Sequence, residues 1–108
     1  MPVPLSVVFA VEAAAEVSTI AAWWHEHRPS APTLFQDELR EALNKAAAYP
    51  EIGAVVRGRG RSSTRGLVLQ RSGCIVFYDV DMEASVIQVL RVRHGKRRPL
   101  LRLKRRRR

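Results

Sequence analysis

The residues best equipped for chemistry gather near the C-terminal end: Arg91, Arg93, His94, Lys96, Arg97 and Arg98. Arginine forks suit phosphate or carboxylate, and an imidazole titrates near neutrality. On an extended strand Arg91 and Arg93 share one face, and His94-Gly95-Lys96-Arg97 makes the corner at its end. Arg57, Arg59 and Arg61 form a second basic group, interleaved with Gly58 and Gly60 in a segment, 51–63, that reads as loop. Together these residues form a candidate target-binding surface for an anionic partner. The blander reading is a solvated basic edge that resists aggregation.

Other chemistries fit less well. His25 and His27 lie two apart on a helical stretch and point to different sides, so no metal site is expected. Asp79 and Asp81 feed a turn and read as solvated carboxylates rather than magnesium ligands. Gly58 and Gly60 lack the third glycine of a dinucleotide loop. Gly95-Lys96 lacks the upstream glycine and the Ser/Thr of a phosphate loop. Cys74 sits in an apolar run and reads as a buried, inert thiol. No cofactor is implied.

Charge divides the chain. Residues 1–52 carry Arg28, Arg40 and Lys45 against seven acids, which is 3 − 7 = −4. Residues 53–108 carry 16 bases against Asp79, Asp81 and Glu83, which is 16 − 3 = +13. So uneven a split points the second half toward an acidic or polyanionic partner. With 108 residues, 46% apolar and 27% charged, the chain reads as one ordinary globular domain. No apolar run approaches the roughly 18 residues of a membrane span, and no leader peptide is visible. A single cysteine suits a reducing compartment. A cytoplasmic protein with no membrane partner is therefore expected.

Elements that position the basic residues can be read from periodicity. Leu5 to Phe9 is β-branched and aromatic, a strand. Ala13, Val17, Ile20, Ala21 and Trp24 mark one face of a helix running from Glu12 to about His27, with Ala10 a poor cap before it. Pro29 and Pro32 stop it, and Ser30 is the expected cap of a second helix. That helix carries Phe35, Leu39, Ala42, Leu43 and Ala46 on one side and ends at Tyr49-Pro50. Strands follow at 67–69, 74–80 and 85–93, joined by turns at Ser72-Gly73 and Asp81-Met82-Glu83. The order β-α-α-β-β-β predicts an α+β fold, an antiparallel sheet with an N-terminal helical hairpin on one face. Residues 100–108 read as a basic tail with nothing to bury, expected to be disordered.

Both faces of the central strands are apolar. Val76, Tyr78 and Val80 alternate with Ile75 and Phe77, and Val86, Leu90 and Val92 alternate with Ile87 and Val89. The hairpin can cover only one face. Ile75, Phe77, Ile87 and Val89 are therefore expected on a second face that a partner protein covers.

Four stretches in this order resemble the RelE/ParE toxins of type II toxin–antitoxin modules. They are Phe35-Gln-Asp-Glu-Leu39-Arg-Glu-Ala-Leu43, Tyr49-Pro-Glu-Ile-Gly53, Cys74-Ile-Val-Phe-Tyr78-Asp-Val80 and Val89-Leu-Arg-Val-Arg-His94-Gly95-Lys-Arg97. The resemblance covers about residues 5–98 and assigns residues 1–99 to a toxin domain. It implies a cognate antitoxin that lays a helix and strand across the open sheet face, meeting Ile75, Phe77, Ile87 and Val89. RelE-like relatives cut messenger RNA on the ribosome with a strand arginine and a C-terminal tyrosine or histidine-tyrosine pair. Here the strand position is Ile75, Arg97 matches the later basic position, and no tyrosine follows. The resemblance is closer to the ParE branch, whose members poison DNA gyrase by binding rather than by catalysis. The alternative it leaves is a ribosome-dependent endoribonuclease built on His94, Arg97 and Arg91. A non-toxic nucleic-acid-binding domain is the third reading.

Overall fold

A helical hairpin lies across one face of a five-stranded sheet in the computed structural model, which describes residues 3–58 and 63–95. Arg59, Arg61, Lys96, Arg97, Arg98 and the 100–108 tail lie outside the described residues. The elements are β1 (Ser6–Phe9), α1 (Val11–His27), α2 (Leu34–Ala48), a 3-10 turn at Pro50–Ile52, β2 (Ala54–Arg57), β3 (Thr64–Leu69), β4 (Cys74–Asp81) and β5 (Val86–His94). The expected α+β architecture is the one found.

Strands β2 to β5 form an antiparallel meander, and β1 returns to lie parallel to β5, giving the order β1-β5-β4-β3-β2. Two features differ from the sequence reading. The 51–63 segment is not all loop, because Ala54–Arg57 pairs with β3 as an edge strand. Its four residues are too few to show an alternating pattern. Helix α2 starts from Thr33 rather than Ser30, and residues 28–33, which include both prolines, are spent on turns and a bend.

The core sits between sheet and hairpin. Ala13, Phe35, Leu39, Ala42 and Leu43 of the helices meet Leu69, Cys74, Val76, Val89 and Val92 of the strands. Ala46 and Ala47 meet Tyr78 and Ile87 in a second cluster. The small residues on α1 and α2 bring both helices close to the sheet. Helix α1 has no side-chain cap at Ala10, as its sequence suggests.

The β4–β5 pairing breaks register once. Phe77 lies opposite Arg91 and Tyr78 opposite Val89, so Leu90 is an extra residue in β5. An extra residue reverses the side-chain alternation on either side of it. Ile87, Val89 and Val92 consequently all face the hairpin and are fully buried or nearly so. This corrects the expectation for Ile87 and Val89: both belong to the core, not to the open face. Ile75 and Phe77 do lie on the open face, with Val68 opposite Ile75 and Gly66 opposite Phe77. Phe77 is nevertheless only 3% exposed, whereas Val68 is 55% exposed. Its ring fills the space over Gly66, where a Cβ would come within 3.3 Å of it and of Val56.

Candidate functional site

Strand β5 carries the basic residues, and the sheet topology decides how they are presented. β1 stops pairing at Phe9 opposite Val89, so β5 is an open edge beyond that point. Helix α1 runs beside this edge and sends Glu16 to it. The Glu16 carboxylate accepts three hydrogen bonds: Arg91 Nε at 3.0 Å and Arg91 Nη2 at 2.7 Å on Oε2, and the Val92 N–H at 2.8 Å on Oε1. Arg93 Nε lies 3.8 Å from the same Oε2. Burial raises the Glu16 pKa, but the bonds from Arg91 and Val92 and the charges of both arginines outweigh it. The net position is below the ordinary value of 4.5. The bond to Glu16 likewise raises the Arg91 pKa against the opposing effect of burial.

Arg91 is therefore not a loose cation. Its two-pronged bond is charge-assisted and half shielded, stronger than an ordinary surface ion pair. Arg93 is more weakly held by Glu16, at the longer distance, although its side chain is the less exposed of the two. His94 is exposed at the end of the strand, where Gly95 closes the corner by donating to the Gly73 carbonyl at 2.6 Å. Gly95 is required there: a Cβ would sit 2.6 Å from that carbonyl. Arg57 is exposed at the end of β2, on the opposite sheet edge from β1. The structure thus brings Arg91 and Arg93 together and joins His94 to them along the strand. It leaves Arg57 three strands away.

Three further polar side chains hold the platform. The Tyr78 hydroxyl donates to the Pro50 carbonyl at 2.8 Å and accepts the Gly53 N–H at 2.9 Å. Burial raises the Tyr78 pKa despite the Gly53 N–H and the nearby Arg65, so the phenol stays protonated. Arg65 donates to the Glu51 and Gly53 carbonyls at 3.2 and 2.7 Å, clamping the same turn from the side. Buried Glu38 of α2 accepts the Arg71 and Ser72 N–H groups at 2.6 and 2.8 Å, tying that helix to the β3–β4 turn. His27 of α1 is occupied locally: it stacks on Trp23 at 4.8 Å, and its Nδ1 lies 3.1 Å from the Trp23 carbonyl. Arg28 lies over Trp23 and Trp24 at the helix end. Buried Cys74 has its pKa raised, chiefly by burial, and is not poised for nucleophilic work.

A family model described as the ParE toxin of the type II toxin–antitoxin system parDE matches residues 7–99. The chain belongs to the ParE toxin family. The fold of this ParE-family chain is similar to that of the chromosomal ParDE toxin–antitoxin system of P. aeruginosa. That match has a TM-score of 0.64 at 20% identity and covers 83% of this chain and 95% of that one. The isolated E. coli RelE toxin matches with a TM-score of 0.59 at 21% identity over 95% of this chain and 97% of that one. The RelBE2 toxin–antitoxin complex of Mycobacterium tuberculosis matches with a TM-score of 0.54 at 20% identity, covering 85% and 99%. No curated protein shows significant similarity. Among the described residues no helix is long and apolar enough to cross a membrane.

Glu16, Glu38 and Arg65 were not singled out in the sequence of this ParE-family chain. Glu16 sits among alanines on a helix, and nothing in its neighbours announces a partner 75 residues away. A polar residue on the apolar side of α2 is a visible signal for Glu38, since it falls three residues after Phe35 and four before Ala42.

Proposed function

We propose that the chain is a toxin that inhibits DNA gyrase by binding, neutralised by a cognate antitoxin that covers its open sheet face. The observation that carries this reading is the state of the groups that cleavage would need. Cleavage at a ribose asks for a proton acceptor and a proton donor poised at the reacting oxygens. Tyr78 spends its hydroxyl on Pro50 and Gly53 inside the core. Beyond His94 the chain contains no histidine or tyrosine. A binding toxin asks only for a stable, complementary surface, which β5 supplies through Arg91, Arg93 and His94, with Lys96, Arg97, Arg57, Arg59 and Arg61 as further contacts by charge.

The antitoxin reading draws on the family and on the RelBE and ParDE complexes that share this fold. The surface offered is Ile75 and Val68, partly and largely exposed on the face away from the hairpin. Induced expression tests the reading in cells. DNA-damage signalling with intact transcripts is the expected result. Transcript cleavage that vanishes in His94→Ala would establish the endoribonuclease instead.

A further inference from the structure

Glu16 makes contacts that ordinarily belong to a binding partner. It approaches β5 where pairing with β1 has ended and accepts an N–H that a neighbouring strand would otherwise accept. It also answers the charge of Arg91 and faces that of Arg93. We propose that Glu16 is an internal stand-in for a partner carboxylate, and that the β5 edge at Arg91, Val92 and Arg93 docks an acidic, extended protein segment that displaces it. The segment would add to the edge as a strand and place one Asp or Glu side chain where Glu16 now lies.

The geometry selects a carboxylate. One oxygen takes both prongs of Arg91 while the other takes the Val92 N–H, so the donors match the two oxygens of a planar group. The Glu16 side chain is 23% exposed and can rotate into solvent about its own torsions. Charge favours the exchange as well, because Arg91 and Arg93 stand at this edge in a half of the chain, residues 53–108, whose net charge is +13. Glu16 then acts as a threshold. A lone anion competes with it poorly, whereas a segment that also supplies backbone carbonyls to the edge prevails. The inference takes β5 as the binding strand, as the gyrase reading does, but holds for any protein that brings such a segment.

The test uses the full chain labelled with ¹⁵N and two probes, the blocked pentapeptide acetyl-Val-Glu-Val-Glu-Val-amide and a single-stranded hexanucleotide. Site-specific signals are needed, since the arginine tail will attract any anion. The expected result is that the peptide shifts the Arg91 Nε–H and Val92 N–H resonances. In Glu16→Gln it should do so about tenfold more tightly, the gain expected when Glu16 occupies the arginines about nine-tenths of the time. The gain should disappear in the E16Q/R91Q double variant. Three results would overturn the proposal: a peptide that leaves both resonances in place, a gain that survives loss of Arg91, or a hexanucleotide that moves them where the peptide does not. If E16Q does not fold, the unmodified chain decides alone by whether its two resonances respond to the peptide.

Discussion

Tyr78→Phe isolates the bond that anchors the turn between the helices and the sheet. The ring stays, so core packing is preserved and only the hydroxyl is lost. That hydroxyl satisfies the Gly53 N–H at 2.9 Å in a buried setting and donates to the Pro50 carbonyl at 2.8 Å. Leaving a buried N–H without a partner costs about 1–3 kcal/mol. The Pro50 carbonyl is half-buried and recovers water, so its loss is nearer the net worth of one hydrogen bond, about 0.5–1 kcal/mol. The sum is roughly 1.5–4 kcal/mol, which for a domain near 100 residues lowers Tm by about 6–30 °C. Thermal unfolding followed by circular dichroism measures it. A fall of less than about 3 °C would refute the claim that this hydroxyl holds the turn.

Glu38→Gln should lower stability by about 1.5–3 kcal/mol in a denaturant titration, since the amide can accept only one of the Arg71 and Ser72 N–H groups. Because the Glu16 pKa is lowered on folding, the stability it supplies is complete above the ordinary value of 4.5 and drains away as pH falls through its lower folded value. Unfolding midpoints of the unmodified chain should therefore fall more steeply with acid than those of Glu16→Gln. His94→Ala should leave growth inhibition almost unchanged, while charge reversal at Arg97 should weaken target binding by about 1.5–3 kcal/mol, read as toxin dose against growth. A general acid or base at His94 would instead cost roughly 10²–10⁴ in cleavage rate on removal.

The helical hairpin and the last two strands were legible because long periodic segments carry their own signal. Ala13, Phe35, Leu39 and Val76 are in the core that their spacing implies. Strand β2 was not legible, since four residues of Ala54–Arg57 gain their identity only from β3 beside them. Ile87 and Val89 were placed on the wrong face for a single reason: alternation was counted through Leu90, and a bulge at that residue reverses the count. No local pattern marks the bulge, which shows only in the register of β5 against β4. The basic strand itself was plain in the sequence. Its occupancy by Glu16 was not, because a contact between residues 16 and 91 exists only after the sheet edge has formed beside α1.

Supercoiling by purified gyrase, titrated with purified chain, tests the central claim most directly. Translating ribosomes are assayed in parallel with the same preparation. The account predicts dose-dependent loss of supercoiling, retained in His94→Ala and weakened by charge reversal at Arg97, with messenger RNA left whole. Full gyrase activity at saturating chain, together with cleavage of ribosome-bound messenger, would contradict it.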